Sequence, residues 1–477
     1  MVVSSFLSPA PAADAKFDKK RSQALYQQGV QADNAGHRED AMTAYSEAVE
    51  ADPHNGAAWR ARSKGYLAAG DRTKALADLD KAVELEPSGA ENYAARGDYY
   101  AAIGQPARAI PDYSTAINMK LESTQVFTGR GNAYLTMKDD LKAVPDFTEA
   151  IRLRLDNPEP YKGRGLARIA LGQYRDAVDD FNLCLARKPD YEAVYVERAV
   201  AYSGIGDYAR SKSDLDTAIH LKADDGRAWR VRGAVKERLH DDEGALTDYT
   251  EAMRLDPKDV RIYLSRGAVY ARNNKLEEAL RDREKCVELE PRNLYCYVAR
   301  GSSYHLLGQH EKGIADRTMA ITLDPAAPLG WTARGNAYFL MGRYDDALAD
   351  LNHALLLDPE NAETKALLAQ TQEEVKRQIA KSQDAEKRPD TVTITLPPPP
   401  AIPKTESPAP EAKSEAPQIE TAKTDKWKLE PATSEVKPEV KTDAEPEPAP
   451  QSAPALPQAS VQPPPAVSAP KPAVPGN

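Results

Sequence analysis

GRAWRVRGAVKERLHDDEGALTDYTEAMRLDPKD, Gly226 to Asp259, is one of ten 34-residue segments that follow one another without insertion or deletion from Ser22 to Asn361. The copies begin at Ser22, Gly56, Ala90, Thr124, Pro158, Glu192, Gly226, Val260, Leu294 and Pro328. With the first residue of each as position 1, position 4 is aromatic in every copy but the first, which has Leu25. Position 8 is glycine except at Ser63 and Ala199, and position 11 is mostly tyrosine. Steps of four and three residues put positions 4, 8 and 11 on one face of a helix, with room for a neighbour to approach at the glycine. Position 20 is alanine, relaxed to Ser211 and Gly313, and position 32 is proline in seven copies. Proline lacks the backbone N–H and disfavours helix in the residue before it, so each second helix ends there. In copies three, four and six Leu121, Leu155 and Ala223 replace it, which predicts softer turns. The unit is a two-helix hairpin turning near position 15, and it buries its apolar face only against its neighbours.

This pattern resembles the tetratricopeptide-repeat family, in a long multi-repeat array of the bacterial type. The resemblance covers about 340 residues and implies an all-α fold: a right-handed superhelical α-solenoid of ten helix-turn-helix repeats. It also implies a non-catalytic scaffold that holds a peptide or protein segment in a concave groove. One departure from the family pattern recurs. Position 7, usually leucine, is arginine in nine copies, and position 23 is aspartate in the same nine. Offsets that sum to about 30 lie opposite each other in such a hairpin. A structural ladder is therefore expected: Arg62–Asp78, Arg96–Asp112, Arg130–Asp146, Arg164–Asp180, Arg198–Asp214, Arg232–Asp248, Arg266–Asp282, Arg300–Asp316 and Arg334–Asp350. The first copy has Gln28 and Ala44 instead. A planar guanidinium pairs with a carboxylate through two parallel hydrogen bonds, which fixes hairpin geometry.

In the family, positions 2, 5, 9, 12 and 13 of the first helices face the groove. Carried over, copies seven and eight present Arg227, Arg230, Arg238, Arg261 and Arg272 against a single acid, Glu237. Copies nine and ten present Tyr295, Val298, His305, Leu306, Leu329, Asn336, Phe339 and Leu340. The expectation is a solvated basic middle for an acidic segment, followed by an apolar, partly aromatic end. The lysine–asparagine clamp of chaperone-tail binders is absent, since Leu166 follows Lys162 where asparagine is needed. Arg283 and Arg317 stand at position 24, where the family has an aromatic or leucine, and read either as local core perturbations or as ligand contacts.

Flanking the array (22–361), residues 1–21 read as an arm or the remnant of a signal segment. Ala13-Asp14-Ala15 resembles a signal-peptide end, but the apolar run Val2–Leu7 is short and no basic region precedes it. A periplasmic or envelope location follows if a signal peptide lies upstream, and a cytoplasmic one otherwise. Residues 362–387 contain an amphipathic stretch with Leu367, Leu368, Val375 and Ile379 on one stripe, expected as a capping helix. Residues 388–477 hold 22 of the 37 prolines, which predicts a disordered tail whose removal leaves the fold intact. Within it Thr391–Leu396 and Lys426–Leu429 are candidate linear motifs.

A net charge of −10 gives no nucleic-acid footprint, and no apolar run reaches membrane-spanning length. Of three cysteines, Cys184 and Cys286 occupy the small position 27 and Cys296 position 3. Their odd number and the lack of CxxC predict buried, inert thiols. No histidine spacing suits a metal, no phosphate-binding loop occurs, and no cofactor or catalytic site is expected. The alternatives to a peptide-binding scaffold are a cell-envelope assembly protein with a layer-spanning tail and, more distantly, an accessory subunit of an enzyme.

Overall fold

The computed structural model describes residues 17–386. The arm before Phe17 and the proline-rich segment with its two candidate motifs lie outside them. The fold is an all-α solenoid. Helices α1 (Lys19–Asn34) and α2 (Arg38–Ala51) form the first hairpin, and the pattern repeats through α19 (Pro328–Leu340) and α20 (Tyr344–Leu357). A last helix, α21 (Ala362–Glu386), packs on α20 and touches α19. Its covered face holds Thr364 and Thr371 with half-buried Leu367, Leu368 and Val375, while Ile379 is exposed.

Local chemistry sets the hairpin. Position 15 takes positive φ in every copy, at Gly36 (φ 82°) and six further glycines, and at Lys138, His240 and Asn274. Glycine enters this left-handed region freely, so it is the natural hinge. Position 16 then caps the second helix: the Asp71, Asp207 and Asp241 side chains accept the N–H of Lys74, Arg210 and Gly244. The turn at Leu121 differs from the others. The helix before it stops at Asn118, and Lys120 takes φ 66° to reverse the chain without a proline. Leu155 and Ala223 leave the preceding helices at full length.

The glycine at position 8 receives the ring from position 24 of its own hairpin. A Cβ on Gly131 would lie 2.9 Å from Phe147, and one on Gly233 would lie 2.8 Å from Tyr249. Both rings are fully buried. In the copies with Ser63 and Ala199, position 24 is the slimmer Leu79 or Leu215.

First helices of successive hairpins touch one another from the second hairpin to the tenth, whereas second helices stand apart. The array therefore curves with its first helices inside. Among the described residues no helix is long and apolar enough to cross a membrane.

Candidate binding groove

Two sets of arginines divide the work. The first forms rungs between the helices of each hairpin. In all nine copies Nε and Nη2 of the position 7 arginine donate to the position 23 carboxylate, for example Arg62 to Asp78 at 2.8 Å twice. Arg96, Arg130 and Arg164 do the same with Asp112, Asp146 and Asp180. Arg198, Arg232 and Arg266 pair with Asp214, Asp248 and Asp282, and Arg300 and Arg334 with Asp316 and Asp350. Rings at positions 4 and 11 flank most of these guanidinium groups, such as Trp59 at 4.8 Å and Tyr66 at 5.7 Å from Arg62. Where position 11 is Arg168 or Lys236, that residue adds a second cation to Asp180 or Asp248.

Eight of the nine rungs also reach backwards. Nη1 of Arg130 donates to Ser114 of the preceding hairpin at 3.0 Å, that of Arg232 to Asp216 at 2.7 Å, and that of Arg334 to Thr318 at 3.1 Å. The same link joins Arg62 to Ser46, Arg96 to Asp80, Arg164 to Thr148, Arg198 to Asn182 and Arg266 to Thr250. Only Arg300 lacks it among the described residues.

The second set lies on the inner side, on α13 (Gly226–Arg238) and α15 (Val260–Arg272). Arg227, Arg230 and Arg261 do cluster, but they do not form a free basic patch. Arg227 forks onto Glu197 at 2.6 and 3.0 Å. Arg261 forks onto Asp259 at 2.7 and 2.8 Å, and Arg230 lies 3.1 Å from the same carboxylate. Arg272 pairs with Asp242 and Glu237. Glu237 is thus one acid of four, and the expectation of a single one is corrected. Arg230 is also not solvated: its side chain is 7 % exposed. Burial first, then repulsion from Arg261 and Arg227, hold its guanidinium below the usual range. Arg238 is exposed and has no ion-pair partner among the described residues.

Further along, on α17 (Leu294–Leu306) and α19, Tyr295, Leu306, Asn336 and Leu340 are exposed. Val298, His305, Leu329 and Phe339 are half-buried, with Phe339 against Tyr344. Nδ1 of His305 lies 2.9 Å from Nδ1 of His310. Burial, then His310 and Arg317, keep the His305 imidazole below its ordinary range. The cysteines require a second correction. Cys286 and Cys296 form a disulfide, Cα to Cα 5.5 Å, joining α16 (Leu276–Leu289) to α17. Only Cys184 remains a buried free thiol.

Helical hairpins stacked so that their first helices share an inner, side-chain-rich face make this a protein-interaction scaffold of the α-solenoid class. The chain carries tetratricopeptide repeats: models described as tetratricopeptide repeat or TPR repeat match residues 26–90, 60–123, 241–274, 260–293 and 328–361. Members of this family are in general non-catalytic interaction modules. No curated protein matches the chain. Similar solved structures include YrrB, a TPR protein with an unusual peptide-binding site, at 21% identity over 39% of this chain and 95% of that one, TM-score 0.36. A tetratricopeptide repeat protein from Parabacteroides merdae matches at 18% identity over 52% and 99%, TM-score 0.40. Yeast Tom70 matches at 15% over 77% and 99%, TM-score 0.38.

Proposed function

We propose that the inner face binds an extended or helical segment of a partner protein, without catalysis. The observation that carries this reading is the contrast between the two arginine sets. The rungs are spent inside the hairpins, whereas Arg227, Arg261 and Arg272 remain half in solvent with Tyr295, Leu306 and Leu340 exposed further along the same side. Arginines held by carboxylates can exchange them for acidic groups on a partner, and neighbouring apolar side chains suit its hydrophobic residues.

Crosslinking capture with the full chain tests the reading. Arg227→Ala/Arg261→Ala/Arg272→Ala and Tyr295→Ala/Leu306→Ala/Leu340→Ala should each lose the partners held by the parent protein while keeping its melting temperature. Arg230 is left out of the set because its removal from a buried pair would itself destabilise the fold. Undiminished capture by both triple variants would sink the proposal.

The disulfide favours a second reading, a scaffold working in the cell envelope, since such bonds persist in oxidising compartments. Protein taken from its native cells and alkylated without reduction should be modified at Cys184 at most. Labelling of Cys286 and Cys296 would remove the support for that location.

A further inference from the structure

Position 24 is an aromatic or leucine in eight copies and arginine in the eighth and ninth. Arg283 comes from α16, and Arg317 from α18 (His310–Leu323), and both reach α17, which lies between those helices. Arg283 Nη1 donates to Ser303 Oγ at 2.7 Å. Arg317 Nη1 donates to the carbonyls of Gly301 at 2.9 Å and Gly313 at 3.1 Å. Both residues are more than nine-tenths buried, at 7 % and 6 % exposure.

Their charges have no counter-charge. The ladder and inner-face arginines mostly meet carboxylates, but among the described residues neither Arg283 nor Arg317 has one within ion-pair reach. Their sequence neighbours Asp282 and Asp316 are already bound by Arg266 and Arg300. Nε of both is buried without an acceptor. Among the described residues Nη2 of Arg283 has no acceptor either and is not enclosed, and Nη2 of Arg317 has only Ser302 Oγ at 3.4 Å. Burial pushes the Arg317 guanidinium down to about 10 and lowers that of Arg283 as well. A buried ion without a partner is strongly unfavourable, and the eight other copies avoid it with an apolar or aromatic residue.

The surroundings are fitted to these side chains. Gly313 replaces the usual alanine, and a Cβ there would lie 2.8 Å from the Gly301 carbonyl oxygen and 2.9 Å from Arg317 Nη1. Ser303 stands where the neighbouring copies have Val269 and Ala337. Position 24 tips, themselves buried, reach side chains at the inner-face positions: Tyr113 Oη donates to Asp98 at position 9, and Tyr249 Oη to Glu237 at position 12. Ser302 and His305 hold those two positions on α17.

We infer that the inner face beside α17 binds anions, with Arg283 on one flank of that helix and Arg317 on the other each receiving an oxyanion (a carboxylate or phosphoryl group) that supplies its missing counter-charge. That a segment in the groove carries this group rests on the reading above. The site itself does not, and free anions test it separately.

The full chain is melted in succinate, in inorganic phosphate and in chloride at equal ionic strength, followed by circular dichroism. Succinate or phosphate at 100 mM should raise the melting temperature by roughly 1–3 °C over chloride. The arm with the larger shift identifies the oxyanion. Arg283→Leu/Arg317→Leu should melt in chloride no lower than the parent and lose the shift. No shift in the parent, or the same shift in the double variant, overturns the site. A double variant that fails to fold overturns it too, because the arginines would then be pins of the hairpins. Loss of partner capture by the inner-face variants with the anion response intact would leave the site standing and the peptide carrier in doubt.

Discussion

Asp282→Ala should destabilise the array by about 3–5 kcal/mol, read as a fall in urea midpoint with helical circular dichroism as the probe. The Asp282 side chain is 7 % exposed and, among the described residues, is the only carboxylate that receives Nε and Nη2 of Arg266. Removing it leaves a guanidinium enclosed with no counter-charge, whose desolvation is no longer offset. Arg266→Leu combined with Asp282→Ala removes both charges and resembles the family's usual leucine at position 7. That double variant should recover most of the loss. Asp248, which holds Arg232 and Lys236 together, belongs at the upper end of the range. If the single and double variants of the Arg266 rung unfold at the same urea concentration, the rungs are weak surface pairs after all.

Gly131→Ala should cost about 1–3 kcal/mol, although alanine is the better helix former. The new methyl would meet the Phe147 ring at 2.9 Å, and that ring is also hemmed by Gly163 of the next hairpin. Phe147→Leu in the same chain should return stability to within about 1 kcal/mol of Phe147→Leu alone, since the sixth copy already combines Ala199 with Leu215. Thermal melts of the four proteins give the coupling directly. Equal losses from Gly131→Ala with phenylalanine and with leucine opposite would show that the glycine serves something other than the ring.

Much of this fold was legible because each position is seen ten times. The hinge near position 15, the glycine at 8 and the pairing of 7 with 23 are local to one hairpin, so sequence offsets translate directly into geometry. What stayed hidden involves neighbouring copies. Arg227 and Arg261 are neutralised by Glu197, at position 6 of the preceding copy, and by Asp259, the last residue of the seventh. Neither position belongs to the set that faces the groove in the family, so a count along that set misses them. The cysteine pairing was hidden in the same way. Position 27 of one copy meets position 3 of the next at Ala48 and Ala58, at Ala116 and Val126, and at Cys184 and Val194. Cys286 and Cys296 occupy the same two places, and that recurring contact was the usable signal, whereas the odd cysteine count pointed away from it.

The backward reach of the rungs bears on how such a chain changes length. Position 7 lies 16 residues before its aspartate and 16 residues after its acceptor in the previous hairpin, as in Arg164 with Asp180 and Thr148. Both spans are defined by the period and not by any one copy's identity. Unequal crossing-over that excises residues 124–157 would bring Arg164 to Ser114, another hydroxyl at the same offset, and close the seam with its bonds intact. A crossover in any other frame would strand a guanidinium at the junction. The ladder thus acts as a reading-frame check on the gene: loss of a whole repeat leaves the rung at a joint like this one with its bonds, and loss of part of one leaves a guanidinium there without them.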